Sequence, residues 1–326
     1  MNRLNQILVI TLGVQVLIAG AIYYGSQAPD VSQQQVTLIS PHDAQIDTLK
    51  IEDNKGTQVS LSRQQGKWQL PDYHQLPADQ GRIDQLLNRL QKTRLGWPVA
   101  TTGSSRKRFE VTDKKYRKKL TLSLASGENK VFYLGTSPGF RQIHIRKEGD
   151  DSVYAVKLND YDFPAENRNW LDATLLSMKA GIDGIKGSDF SLQKEGDNWK
   201  FEKDTRQVDN NEVSKLTNSL KRLRILDVAE KSPDKHSYDL LVDANKRHLT
   251  YHFYKDDKNY YVKREDVPQN FKISKSDYET ITGRTITQLA KTTGKKKGKA
   301  LTKNKQRTRH VMNKQPKKEV MSDDKS

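Results

Sequence analysis

Histidines are the residues of this chain that are best suited to bind a metal ion, and two of the seven, His248 and His252, are four positions apart. On a helix this spacing would place both imidazoles on one face, as in a zinc-binding pair. The stretch around them alternates with a period of two and therefore predicts a strand. Residues four apart on a strand lie roughly 13 Å from each other. We interpret both histidines as surface or edge residues and expect no shared metal ion.

Paired carboxylates, which a catalytic acid–base dyad would need, occur at Asp150-Asp151 and Asp256-Asp257. Both pairs lie in predicted hairpin turns, where aspartate is favoured because its side chain bonds the backbone. We identify no Walker A loop, no GxGxxG after a strand and no HExxH pair, and we expect no GxSxG nucleophile elbow. A Ser-His-Asp triad scattered along the chain stays open as an alternative. We assign no catalytic, cofactor-binding or metal-binding residue.

Aromatic residues offer a second type of binding surface. Trp68 and Trp199 either form a ligand platform or cover a sheet where a helix docks, and we favour the core position. A further aromatic stripe is expected to stabilise a hairpin by cross-strand pairing, with a binding surface as the alternative. Its members are Tyr251, Phe253, Tyr260 and Tyr261. Because the chain has no cysteine, it contains neither a disulfide nor a thiolate nucleophile or metal ligand.

The N-terminus contains an uncharged apolar run from Ile7 to Tyr24. As a helix, a run of this length covers roughly 27 Å, which is about the hydrocarbon thickness of a bilayer. Arg3 precedes the run, and no Lys or Arg follows it before Lys50. The positive-inside rule then predicts a transmembrane anchor at residues 1–25, with a cytoplasmic N-terminus and the bulk of the chain outside the cytoplasm. Cleavage of a signal peptide after Ser26-Gln27-Ala28 is the alternative.

After a linker at residues 26–45, alternating apolar residues predict strands. The first strand is expected at residues 46–51, and a hairpin follows around Gln65-Gly66. A helix capped by Asp79 is predicted next, from apolar residues at helical spacing. These residues are Ile83, Leu86, Leu87 and Leu90. Two strand pairs follow within residues 118–156, then a loop that becomes helical over 158–176. Residues 274–290 are predicted to be helical.

The same order of patterns starts again in the second half of the chain. Matched positions, at offsets of 129 to 131, are Val59-Ser60-Leu61 with Phe190-Ser191-Leu192, Trp68-Gln69-Leu70 with Trp199-Lys200-Phe201, Asp79, Ile83, Leu86 and Leu90 with Asp209, Val213, Leu216 and Leu220, and Leu120, Leu122 and Leu124 with Leu249, Tyr251 and Phe253. The repeat predicts two tandem α+β modules, residues 46–176 and a shorter 177–290, each an antiparallel sheet with one amphipathic helix. Two units that share only a binary pattern are the alternative.

Much of the net charge of +17 lies in the last 36 residues, 291–326, where 13 basic residues against three acids give +10. Sparse apolar residues predict that this tail is disordered. Nucleic acid is an unlikely ligand on the predicted side of the membrane. Anionic lipid or an anionic envelope polymer is the expected partner there, with each basic residue contributing about 1 kcal/mol near a charged membrane surface. A solvated tail without a partner is the alternative.

Several segments are informative when their order and spacing are taken together. They are GKWQLP (66–71), PADQGRIDQLLNRL (77–90), KLTLSLA, KVFYLG, VYAV and RNWLDATLL, with GDNWKF and YDLL in the second half. Over about residues 45–290, this series resembles a bacterial envelope family known as domain of unknown function 4340. The segment FEV (109–111) stands where the family has a YGL-like turn. The resemblance implies a membrane-anchored, extracytoplasmic companion of ABC-type transport systems of the gliding-motility type, and it carries no catalytic residues with it.

Together these features predict a single-pass inner-membrane protein with a non-enzymatic role. We expect an accessory or binding component of an ABC-type transport or envelope system, with transporter subunits as partners. An envelope tether that grips anionic lipid or polymer through its basic tail is the first alternative. A periplasmic hydrolase is the second.

Overall fold

The computed structural model describes residues 11–20, 36–40, 45–231 and 234–291, and the chain divides into two units, residues 1–290 and 291–326. The basic tail, most of the linker and the two ends of the predicted anchor lie outside the described residues. The central part of the predicted anchor, residues 11–20, is helical and is labelled α1. No helix within the described ranges combines the length and the apolar composition that a membrane span requires. The anchor therefore stays a prediction.

The first half of the chain forms an eight-stranded antiparallel sheet in the order β4-β3-β2-β1-β5-β6-β7-β8. Its strands are β1 (Ile46–Asp53), β2 (Gln58–Gln64), β3 (Lys67–Leu70), β4 (Leu76–Pro77), β5 (Lys118–Leu124), β6 (Asn129–Leu134), β7 (Ile143–Lys147) and β8 (Tyr154–Val156). The predicted hairpin is confirmed. Gln65 and Gly66, which join β2 to β3, both have positive φ angles of 49° and 79°. Such a turn matches the twist of the flanking strands.

The helix α2 (Gln80–Lys92) connects the two halves of the first sheet, between β4 and β5. As predicted, Asp79 caps it, and its carboxylate accepts the backbone N–H of Arg82 at 3.0 Å. The four apolar residues at helical spacing are buried, which holds one face of the helix against the sheet. The opposite, polar face remains at the surface.

The second half forms another eight-stranded antiparallel sheet, in the order β11-β10-β9-β13-β14-β15-β16-β12. Its strands are β9 (Gly184–Lys186), β10 (Ser191–Glu195), β11 (Asn198–Phe201), β12 (Ile225–Val228), β13 (Tyr238–Ala244), β14 (Arg247–Lys255), β15 (Tyr260–Arg264) and β16 (Phe271–Ile273). The helices of this half are α4 (Asn210–Lys221), α5 (Lys275–Thr282) and α6 (Ile286–Leu289). The α+β class is confirmed, and two sheets fit the two predicted sheet modules.

The two sheets share their central strand order. In the first sheet β1 lies between β2 and β5, and in the second β9 lies between β10 and β13. Each trio of strands has rungs, which are sets of directly paired residues. The matching rungs are Leu61–Leu49–Leu122 and Leu192–Ile185–Val242. Both helices also begin alike, because each capping aspartate donates its backbone N–H to the end of its own module. Asp79 N donates to Trp170 O at 2.7 Å, and Asp209 N donates to Leu289 O at 2.8 Å.

These contacts correct part of the predicted alignment. The rungs make β5 of the first sheet equivalent to β13 of the second, so that Leu120, Leu122 and Leu124 correspond to residues 240, 242 and 244. The sequence offset had matched them instead with residues 249, 251 and 253, which lie one strand further on, in β14. The physical reason is a longer chain between helix and strand in the first module. It contains an additional helix, α3 (Gly103–Phe109), which displaces the later matches.

The predicted helix at the end of residues 158–176 is wrong. Two short 3₁₀ helices form at Asp160–Asp162 and Asn167–Asn169, and residues 173–176 form turns instead of a helix. Pro164 interrupts the stretch and accepts a hydrogen bond from the Trp170 indole at 2.8 Å. This bond fixes the fully buried Trp170 ring in the core. The predicted helix at 274–290 is present as α5 and α6.

The two sheets are joined by a continuous apolar core that runs from Leu38 to Ala290. A tyrosine and an aspartate also bond across this junction. The Tyr73 hydroxyl donates to Asp227 Oδ1 at 2.5 Å and accepts the backbone N–H of Val228 at 3.3 Å. Burial, together with the hydrogen bond to Asp227, raises the pKa of Tyr73. The phenol therefore stays neutral and keeps donating throughout the physiological pH range.

Replacing Tyr73 with Phe should lower the free energy of unfolding by about 1 to 2 kcal/mol, because Asp227 loses a donor to its carboxylate at a partly buried site. Urea denaturation measures this change. The matched control is Tyr161→Phe, since Tyr161 is 84% exposed. An equal loss of stability in both variants would contradict the role of the Tyr73–Asp227 bond.

His144, in β7, is a buried polar residue whose protonation should affect stability. Its ring is 6% exposed and stacks on Phe109 with 4.0 Å between centroids. Its Nδ1 lies 2.9 Å from the Thr136 hydroxyl oxygen. Burial lowers the pKa of His144, a hydrogen bond to the backbone of Thr136 opposes this shift, and the positive charge of Arg108 adds to it. The folded state therefore favours the neutral imidazole.

Because the unfolded chain binds a proton on this histidine more readily than the folded chain, stability should fall as the pH drops below about 6.5. Above that pH, the contribution of His144 should be constant. His144→Gln cannot titrate, so its unfolding free energy should fall less than that of the wild type between pH 7.5 and 5.5. Urea denaturation across this range tests the difference. Parallel profiles for the two proteins would show that His144 does not contribute.

Candidate functional site

The polar face of α2 forms one wall of a surface groove. The residues on this wall recur at helical spacing opposite the buried stripe. They are Gly81, Asp84, Gln85, Asn88, Arg89 and Lys92. The position of the wall follows directly from the amphipathic pattern, because burying the apolar face of the helix turns these residues outward.

The other wall comes from β7, β8 and the residues that flank them. Gln142, Ala155, Val156 and Lys157 line this side, and Arg94 and Gly96, beyond the helix, also contribute. The groove has a volume of about 1040 Å³, which is at the upper end of the range for small-molecule sites. An open groove of this size also accommodates an extended peptide.

Positive charge dominates the groove. Arg89 pairs with Asp162, but in the described part of the chain Lys92, Arg94 and Lys157 form no ion pair. Asp84 is the one acidic residue of the lining. Positive charges that line a concave surface raise the local concentration of anionic groups. The groove is therefore suited to a carboxylate-bearing or otherwise anionic ligand.

Three exposed aromatic side chains belong to segments that border the groove. Trp97 is 80% exposed and follows the lining residue Gly96, and Phe140 is 86% exposed and lies two residues before Gln142. Tyr161, 84% exposed, lines an adjoining cleft together with Arg89. Aromatic residues are enriched at protein interfaces, where they serve as anchors.

The strand β8 is the edge of the first sheet. The corresponding strand of the second sheet, β16, has a further neighbour, because β12 pairs with it through Val228 and Phe271. In the first module, the chain after α2 pairs instead with residues 36–38: Leu38 N donates to Thr93 O, and Leu95 N to Val36 O, both at 2.8 Å. Residues 99 and 100 pair with the first sheet's edge at Val153, just before β8. The edge at Ala155 stays beside the groove, whereas β12 covers the corresponding edge of the second sheet.

A smaller cleft, of about 300 Å³, lies in the second module. Its charges are mixed, and its acidic groups already have partners. The Arg206 guanidinium and backbone N–H bond Asp204 and hold the pKa of that carboxyl at about 2. Ser191 donates to Glu202 at 2.5 Å, and the backbone N–H of Ile286 donates to Asp189 at 3.1 Å. The groove in the first module is the better candidate because its cations are free to bind.

A GxSxG pattern, typical of the nucleophile elbow of serine hydrolases, occurs at residues 135–139. The expectation that the chain lacks this pattern is therefore wrong. The elbow requires a strand, a tight turn and a helix, but here β6 leads into a loop and then β7. The Ser137 hydroxyl oxygen lies 2.7 Å from the carbonyl oxygens of both Gly139 and Gln142. Its single proton is donated to one of them at a time, and either bond fastens the loop. His144 Nδ1 bonds the hydroxyl of Thr136 and not that of Ser137.

The histidines considered from the sequence lie on a strand, as predicted, and have separate partners. His248 Nδ1 is 2.5 Å from Asp243, and His252 Nδ1 is 2.7 Å from Asp239. The aspartates of the predicted turns also act as expected. Asp150 accepts the backbone N–H of Ser152 at 2.9 Å, and Asp256 that of Lys258 at 2.8 Å.

Most of the aromatic candidates belong to the core. Trp68 is 1% exposed, and Trp199 packs against the core while remaining partly exposed. Tyr251 and Phe253 are fully buried. The predicted pairing across the hairpin is wrong in its register, because these two residues face Arg264 and Val262. None of these placements tests the prediction that the chain has no catalytic or cofactor-binding residue.

Comparison with known proteins shows one family relationship. The family model described as Domain of unknown function (DUF4340) matches residues 68–241, from β3 to β13. This single match runs through both sheets and does not separate two copies. Comparisons with curated proteins and with solved structures find no match. Because the family model covers more than half of the chain, this protein belongs to the DUF4340 family.

Proposed function

We propose that this protein is a membrane-anchored, periplasmic and non-enzymatic binding component of an ABC-type transport or envelope system. The observation that carries the proposal is the basic groove beside the strand edge of β8. The uncharged apolar run at residues 7–24 supports the anchor and the orientation. The resemblance described above supports a transport partner of the gliding-motility type.

The groove favours an extended acidic segment of a partner protein as its ligand. Val153, next to β8, exchanges backbone hydrogen bonds with residues 99 and 100, at 2.8 Å each. Because such groups alternate along a strand, Ala155 presents its N–H and C=O to the same edge. A bound segment would add a strand at this edge and place carboxylates near Lys92, Arg94 and Lys157. This mode of binding needs no catalytic group.

We further propose that the two modules arose as tandem copies. The matching rungs and the equivalent contacts of Asp79 and Asp209 support this origin. After duplication, the second module covers its edge with β12, whereas the first leaves the equivalent edge beside the groove. The first module is therefore the one we assign to partner binding.

The basic tail supports the alternative function, an envelope tether. Its net charge of +10 would attract anionic lipid or polymer. A tether of this kind needs residues 291–326, whereas binding through the groove does not. One experiment therefore separates the two functions.

The full-length protein, tagged and gently solubilised from its native membrane, should co-purify with the subunits of an ABC-type transporter, identified by mass spectrometry. The double variant Lys92→Glu/Arg94→Glu should lower the recovery of these subunits at least about tenfold, because repulsion replaces attraction at the groove. The chain truncated after residue 290 should retain them.

The matched control is Lys194→Glu/Lys255→Glu, which makes the same change in charge on exposed residues outside the groove. It should recover the transporter as the wild type does, and the urea midpoints of all variants should show that they are folded. Recovery lost only on truncation would favour the tether. Equal recovery from both double variants, or no transporter subunit in the wild-type sample, would refute the proposed role of the groove.

A further inference from the structure

A cluster of two histidines and an aspartate lies on the outer face of the second sheet, far in sequence from the groove residues. Asp239 in β13 and His252 in β14 are directly opposite each other. His252 Nδ1 lies 2.7 Å from Asp239 Oδ1, and His236 Nε2 lies 2.9 Å from Asp239 Oδ2. One donor atom from each of the three residues falls within 4.8 Å of the others. The carboxylate thus brings both imidazoles together.

The strand framework accounts for this convergence. Cross-strand pairing fixes Asp239 and His252. His236 reaches them from the segment before β13, where Ser237 N donates to Phe253 O at 2.7 Å and continues the ladder. The rings of His236 and His252 are 5.4 Å apart, and Tyr254 meets His236 edge-on at 6.2 Å. The neighbouring rings limit the positions that the His236 side chain can take.

The other nitrogen of His252 also has a carboxylate partner. Its Nε2 lies 3.5 Å from Glu265 Oε1. A carboxylate on the outer nitrogen of a histidine orients the ring and keeps its proton on that side, as in carboxylate–histidine–zinc arrangements. The inner nitrogen, Nδ1, is then available to a metal ion. Lys263, opposite His252 in β15, offsets part of the negative charge.

Two imidazole nitrogens and one carboxylate are the donor set of a transition metal, because Mg²⁺ and Ca²⁺ prefer oxygen ligands alone. The side chains of His236 and Asp239 are 47% and 48% exposed, so an ion can reach them from solvent. A cleft of about 450 Å³, which both residues line, opens beside the cluster. It leaves room for water or another ligand at a fourth position.

We propose that His236 Nε2, His252 Nδ1 and the Asp239 carboxylate bind one Zn²⁺ ion, with a fourth coordination position open to the cleft. Glu265 is a positioning residue that acts through His252. On binding, the ion takes the place of any proton on the two coordinating nitrogens, and these protons pass to solvent. The three ligands shift only slightly, since the donor atoms already converge. The site is independent of the groove in the first module.

The same sheet face provides a matched control. Asp243 and His248 are also directly opposite each other in β13 and β14, with 2.5 Å between their nearest side-chain atoms. This pair has the same chemistry as Asp239 and His252, but it does not belong to any group of three donors among the described residues. A zinc site at the cluster should therefore not depend on His248.

The test is isothermal titration of the metal-free, full-length protein with ZnCl₂. The wild type should bind one equivalent at the site, and His236→Ala and Asp239→Asn should each weaken binding at least about tenfold. Glu265→Gln should weaken it by roughly ten- to a hundredfold through the orientation of His252. His248→Gln should bind as the wild type does. Replacing zinc with Co²⁺ should give a visible absorption spectrum that the Asp239→Asn variant lacks.

The proposal is wrong if the wild type binds no zinc, or if His248→Gln lowers the affinity as much as His236→Ala. The tail contains a further histidine, His310, so the chain ending at residue 290 should be titrated as well. Zinc binding that is lost with the tail and unaffected by Asp239→Asn would assign the ion to the tail instead. The urea midpoint of each variant in the absence of metal shows whether the fold is kept.

Discussion

Burial of the apolar face of α2 is the constraint on which the candidate site depends. Ile83, Leu86, Leu87 and Leu90 lie against the first sheet, and each buried side chain of this size contributes about 1.5 to 3 kcal/mol. The helix cannot rotate without exposing them. Its polar face must therefore point towards the groove, and the sheet that receives the helix also supplies the opposite wall through β8.

The second module uses the same frame in a different way. Its helix α4 is capped by Asp209 as α2 is capped by Asp79, and both caps are tied by their backbone N–H to the end of their module. The differences lie outside this frame. The second sheet has the additional edge strand β12, and the first has α3 between helix and sheet. These are the places at which the two modules can diverge in function.

The elements with strong periodicity could be predicted from the sequence. The residues of α2 recur at helical spacing behind a capping aspartate, and the β2–β3 hairpin has Gln65-Gly66 at its turn, so local chemistry decides both. The helix α3 could not be predicted, because its sequence GSSRKRF has no buried residue and follows no apolar pattern. Its presence also explains why the repeat was aligned one strand out of place beyond the helix.

The candidate sites depend on contacts between distant residues, so they could be foreseen only in part. The groove needs α2 and β8, which are separated by about 60 residues of the chain. The proposed zinc site needs the strand register that pairs Asp239 with His252, and it needs His236 in the segment before β13. The histidine spacing of four drew attention to His248 and His252, but it is the cross-strand pairing of Asp239 with His252 that brings in His236.

The central claim, that the polar face of α2 meets a transporter, can be tested most directly by site-specific crosslinking. The chain has no cysteine, so Asn88→Cys can carry a single photoreactive label in the groove. Asn218→Cys is the matched control, because it occupies the equivalent exposed position of α4. In native membranes we expect a crosslink to a transporter subunit from position 88 and none from position 218. Equal crosslinking from both positions, or none from position 88, would contradict the account.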